Sequence, residues 1–151
     1  MRRALAGAWD GVVATGVMSA AMWGARRAGL LGKPPPRHLV ERALGAAGLR
    51  RHTPEAAVNA LSLLAHLGFG AAAGALFEAA GRTPRALPAA VALGCAYGGL
   101  VWAASYAGWI PALGLLAPPH RDRAGRPSAM LGSHLVFGAV LGARSRPARS
   151  P

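Results

Sequence analysis

Apolar residues collect in four windows, around residues 5–25, 56–80, 87–110 and 128–143, and nearly all of the charge lies between them. Crossing ~30 Å of hydrocarbon at ~1.5 Å rise per residue takes about 20 predominantly apolar residues. The pattern therefore predicts four transmembrane helices. Residues 38–49 follow a different rule: Leu39, Val40, Ala43 and Leu44 share one side, with His38, Glu41 and Arg42 elsewhere. That is the pattern of a short amphipathic helix lying along the membrane interface.

Breakers and caps divide the windows. Pro34-Pro35-Pro36 excludes helix, so the first span is finished before it. Thr53 is read as the cap of the second helix, with Pro54 in its first turn. Gly81-Arg82-Thr83-Pro84 forms a compact turn, Pro111 breaks the third helix, and Ser128 caps the fourth. Tyr106 and Trp109, near the end of the third helix, are placed at headgroup level, where aromatic rings settle. Asp10 interrupts what would be the apolar core of a signal peptide, so a retained first helix is expected. Residues 144–151 read as a disordered basic tail.

One phrase occurs twice. His66-Leu-Gly-Phe-Gly-Ala-Ala-Ala-Gly74 matches His134-Leu-Val-Phe-Gly-Ala-Val-Leu-Gly142 in His, Leu, Phe, Gly, Ala and Gly. On a helix, His and two glycines at four-residue intervals draw a single stripe, a polar group above a smooth notch for a neighbouring helix. The loops match as well: Gly29-Leu30-Leu31 with Pro-Pro and Arg37 answers Gly114-Leu115-Leu116 with Pro-Pro and Arg121. Each half reads as span, loop, span, so the second copy enters the bilayer in the same direction as the first, around a pseudo-twofold axis along the membrane normal. The expected fold is all-α: an integral membrane four-helix bundle of two parallel-related helical hairpins plus one interfacial amphipathic helix, forming one domain over residues 1–151.

Composition sharpens this picture. Hydrophobic residues make up 53% of the 151 and charged residues 15%, and the mean hydropathy is +0.31. The net charge of +12 comes from arginines in the gaps between apolar windows, where they meet anionic lipid headgroups rather than nucleic acid. Cys95 is the only cysteine, so an intrachain disulfide is excluded and the residue is read as small packing.

Ionisable groups inside spans are treated as functional candidates. Asp10 and Glu78 sit near one membrane face, within reach of Arg82 and Arg144, and are read as structural ion pairs. His66 and His134 sit at similar depth in the two halves. They are read as neutral imidazoles in helix contacts, with a pH-responsive pair or a bis-imidazole cofactor site for haem as the sharper alternatives. No catalytic residue, metal motif or nucleotide loop is recognisable.

Trp23-Gly24 followed by Pro34-Pro35-Pro36-Arg37, together with His134-Leu135-Val136-Phe137-Gly138 in the last span, resembles the YagU-like group of bacterial inner-membrane proteins. The resemblance spans most of the chain and implies a polytopic inner-membrane protein, with no catalytic residue to carry over. The function expected is a non-enzymatic packing or partner-binding module, oligomerising through stripes such as Gly94 with Gly98 or Gly138 with Gly142. The alternative is a small transporter, channel or proton-linked protein using His66, His134, Asp10 and Glu78.

Overall fold

The computed structural model describes residues 2–30, 35–81 and 83–145, and these are mostly helical with no strand among them. Five helices carry the described residues: α1 Arg2–Arg27, α2 Pro35–Ala46, α3 Glu55–Ala80, α4 Leu87–Trp102 and α5 Arg126–Arg144. Helix α4 runs on through a π-helical stretch, Ala103–Trp109, into Ile110–Ala112. Three helices, α1, α3 and α4 with its extension, have 26 residues each and are long and apolar enough to cross a membrane. At ~1.5 Å per residue they are roughly 39 Å long. Helix α5, with 19 residues, is roughly 28 Å.

Side chains are distributed inside out. Leu5, Leu64, Leu76 and Leu100 are each more than 60% exposed, and Trp9, Trp23 and Leu63 also face outward. The interior holds small residues such as Gly7, Gly11, Ala14, Thr15, Gly70, Ala73 and Gly74, filled out by Met18, Phe77, Phe137 and Leu141. Water would penalise such an exterior, whereas lipid tails are as apolar as leucine and leave close van der Waals packing to hold the helices.

That packing is made by glycines. A Cβ on Gly11 would lie 2.1 Å from the Gly70 carbonyl oxygen, and one on Gly74 would lie 2.2 Å from that of Gly7. The second pair of helices repeats the device: Gly94 and Gly138 each present a carbonyl 2.0 Å from the other's missing Cβ, and Gly142 meets the Ala90 carbonyl at 2.2 Å. These contacts set α1 antiparallel to α3 and α4 antiparallel to α5. Helices α1 and α5 also pack together, and at one end Arg144 Nε donates to Asp10 Oδ1 at 2.7 Å. The stripes expected to recruit a second copy, Gly94 with Gly98 and Gly138 with Gly142, are therefore spent against each other inside the chain.

Several element ends differ from expectation for local reasons. Pro35 and Pro36 open α2 instead of excluding helix, because the first-turn amides have no intrahelical acceptor to lose. Thr53 Oγ1 donates back to the Leu49 carbonyl and Ser128 Oγ to that of Gly125, so neither caps the helix that follows. Pro111 sits inside the α4 extension, where the preceding i→i+5 register, with the Ile110 amide bonded to the Ser105 carbonyl, absorbs it. Gly29 and Gly114 end α1 and α4 alike. Each adopts positive φ, +76° and +67°, and each is followed by a leucine whose amide reaches five residues back, Leu30 to Ala25 and Leu115 to Ile110. Leu31–Pro34, Arg82 and the tail from residue 146 lie outside the described residues.

Helix α2 lies on the start of α3. Arg37 reaches Glu41 Oε1 at 2.9 Å and Asn59 Oδ1 at 2.7 Å, and it also pairs with Glu55, which Arg50 shares. Glu41 first, and then Glu55, hold the Arg37 guanidinium above its ordinary pKa.

Candidate functional site: a cavity with two imidazoles

Both histidines stand one helical turn from a glycine contact, His66 before Gly70 and His134 before Gly138. The notches draw the helices to backbone contact. Helices α4 and α5 stay in backbone contact at His134, whose carbonyl oxygen lies 2.1 Å from where a Gly98 Cβ would stand, and on the other pair Thr15 Oγ1 fills the space of a Gly70 Cβ, 1.8 Å away. At this level the bundle encloses a half-open cavity of about 240 Å³.

Its walls come from all five helices. Thr15, Met18 and Met22 belong to α1, Pro36 and Leu39 to α2, and Ala65, His66, Phe69 and Gly70 to α3. Helix α4 contributes Val101, its extension Ser105, Tyr106, Trp109 and Ile110, and α5 contributes Met130, His134 and Phe137. Three of these, Ala65, Phe69 and Trp109, are also exposed on the outer surface. They mark a mouth between α3 and α4 on the apolar flank. Farther along, those two helices are joined by the Tyr97 hydroxyl, which donates to the Ala73 carbonyl at 2.7 Å, and by the Phe77–Tyr97 ring contact at 5.0 Å.

Most polar groups of the lining are already committed. The Thr15 hydroxyl donates to the Gly11 carbonyl at 2.7 Å and that of Ser105 to Val101 at 2.6 Å. The Tyr106 hydroxyl donates to the Asp122 carboxylate, which also accepts from the Arg123 amide at 2.7 Å and from Arg126 Nη1 at 3.4 Å. Tyr106 is 1% exposed, so its ring faces the interior and not the lipid, with its hydroxyl on the polar segment that follows α4. Trp109 is exposed, as an interfacial ring should be.

The imidazoles are different. His134 is 7% exposed, and its Nδ1 lies 2.8 Å from the Met130 carbonyl. A carbonyl only accepts, so Nδ1 carries the proton, and the neutral ring keeps a lone pair on Nε2. His66 is half-buried, and its Nε2 is enclosed without a hydrogen-bond partner. Both rings, one from each copy of the repeated phrase, line one apolar space, His134 with a free Nε2 lone pair and His66 with its Nε2 shut off and unbonded.

The other intramembrane acids lie elsewhere. Asp10 is paired with Arg144, and the Glu78 stem lies over Gly7, whose Cβ would be 2.6 Å from Glu78 Cγ. Both belong to the opposite end of the bundle from the cavity. Cys95 is free, with Sγ 3.6 Å from the Leu135 carbonyl. Among the described residues no group of three His, Cys, Asp or Glu side chains converges on one point.

Sequence reasoning found both histidines through the repeat but missed the Tyr106–Asp122–Arg126 network and the π-helical stretch. The available signal was Gly108 followed by Pro111 within an apolar run, a pairing that strains an ordinary helix. No protein-family model, curated protein or solved structure matches the chain.

Proposed function

We propose that the chain is a multi-pass protein of the bacterial inner membrane, akin to the YagU-like group, and that it works without chemistry of its own as a membrane-embedded binding module. Its scaffold holds open a cavity that takes up a small apolar molecule from the bilayer. The observation that carries this reading is the half-open cavity itself, with Phe69 and Trp109 at the mouth and His66 and His134 inside. Drug-sized sites run to ~300–1,000 Å³, so about 240 Å³ favours a single ring or a short chain over a haem macrocycle.

The scaffold is four spans in two copies of one hairpin. The Gly11–Gly70 contact answers Gly94–Gly138, the histidines stand at equal distance from those contacts, and Gly29 and Gly114 close α1 and α4 with the same pair of hydrogen bonds. Helix α5 is the fourth span, since its glycines bind it along α4. Helix α2 lies at the interface, with Arg42 and Arg51 exposed to anionic headgroups.

The test uses methionine. Three of the four methionines, Met18, Met22 and Met130, line the cavity, so methyl-labelled methionine reports its occupancy directly. In nanodiscs, tetramethylbenzene derivatives should shift those three signals saturably, and Ala65→Trp, which places an indole across the mouth, should abolish the shifts. Signals that stay unmoved by every ring refute the reading. A second reading, proton-linked transport, is favoured by the uncommitted imidazoles. It requires proton or solute flux in liposomes that His66→Ala with His134→Ala removes. Asp10 and Glu78, at the opposite end, take no part in it.

A further inference from the structure

Building on that binding reading, we infer that the occupant is a hydroxylated aromatic ring on an apolar tail, a phenolic or hydroquinone head group. The inference starts from what the cavity lacks. The hydroxyl protons of Thr15, Ser105 and Tyr106 are spent on protein acceptors, so the lining keeps no hydroxyl donor for a ligand, and its most basic acceptor is the free ring nitrogen of His134. His134 is more than nine-tenths buried, and its Nδ1 proton is fixed by the Met130 carbonyl. Its Nε2 therefore offers a lone pair and asks the ligand for an O–H or N–H. A ligand with only ether or carbonyl oxygens would set lone pair against lone pair and leave that nitrogen desolvated, which is the costly outcome for a buried polar atom. His66, whose Nε2 is enclosed without a partner, has no backbone bond fixing its tautomer. That nitrogen is closed off from the open space, so His66 supplies wall and His134 supplies the lone pair.

Shape and surroundings select the ring. Phe69, Phe137, Trp109 and the Met18, Met22 and Met130 thioethers surround the space, and sulfur and aromatic edges favour a flat π-system over a branched aliphatic one. A dry cavity of ~150 Å³ is known to take up benzene, so about 240 Å³ holds one substituted ring. The tail leaves through the mouth between α3 and α4, where the outer surface is apolar.

The experiment compares three ligands in nanodiscs: tetramethylhydroquinone, tetramethylbenzoquinone and the dimethyl ether of the hydroquinone. Every ring carbon is substituted, which keeps the quinone from adding to Cys95. Affinities come from the methionine methyl shifts, and the imidazole nitrogens are followed in the same sample. The hydroquinone should bind about tenfold more tightly than the other two, the effect of one well-made hydrogen bond, and it alone should move the His134 Nε2 resonance. His134→Phe should erase the preference while ether binding persists. If that variant does not fold, the nitrogen shift in the unaltered protein decides the same point. Equal affinity for ether and hydroquinone, or tighter binding of the quinone, overturns the inference while the binding reading stands. Failure of all three ligands refutes the binding reading itself.

Discussion

A methyl group on Gly94 would stand 2.0 Å from the carbonyl oxygen of Gly138, a contact with rigid backbone that no rotamer relieves. Gly94→Val and Gly138→Leu should each destabilise the protein by about 1–3 kcal/mol or prevent folding, read as thermal melting in detergent. Gly99→Ala, one position from Gly98 but facing open space, should change stability by less than about 0.5 kcal/mol. The contrast separates a notch from a merely small residue. Asp10 and Arg144 call for smaller expectations. Arg144 is 42% exposed, so a double-mutant cycle on the pair should return about 0.2–1 kcal/mol. Both histidines were legible at this scale because the repeated phrase set them apart. The inward turn of Tyr106 was not legible, because its partner, Asp122, is 16 residues away on another segment.

At the scale of elements, the helices were legible wherever hydrocarbon sets a minimum length, and the windows around residues 56–80 and 87–110 fall within α3 and the extended α4. Their ends were less so, because Pro35 and Pro36 serve equally well as a stop and as a first turn. The π-helical stretch was not legible because the run around it is almost uniformly apolar, so the change of face that an i→i+5 turn makes displaces no polar stripe. It matters because it delivers Ser105, Tyr106 and Trp109 to the cavity. Tyr106→Phe should cost about 1–2 kcal/mol, the worth of a hydroxyl bonded to a carboxylate that retains its other donors. Loosening around residues 119–126 should show in hydrogen exchange. Helix α2 is held by the Arg37 cluster at its start. Arg37→Ala should raise exchange along Pro35–Ala46 and leave α4 and α5 unchanged. Protection that persists throughout α2 would mean that Leu39 and its apolar neighbours hold it without the ion pairs.

For the whole molecule, four crossings would bring both termini to the same side of the membrane. Cysteine labels at residues 2 and 145, in a Cys95→Ala background, should respond together to a membrane-impermeant thiol reagent. Labelling of only one in sealed vesicles refutes an even number of spans. The cavity was not legible in the sequence at any scale. It lies between the two hairpins, whose glycine contacts are internal to each, and so depends on a crossing geometry that no single window records.

The mouth at Phe69 and Trp109 lies on the flank and not at a helix-bundle end. An occupant that comes in sideways is drawn from the surrounding lipid and not from the aqueous buffer, so its effective dose is a mole fraction. Doubling the lipid at fixed ligand and protein should halve the occupancy of a weakly filled site, and affinities measured at different lipid loads should coincide only when counted per lipid molecule.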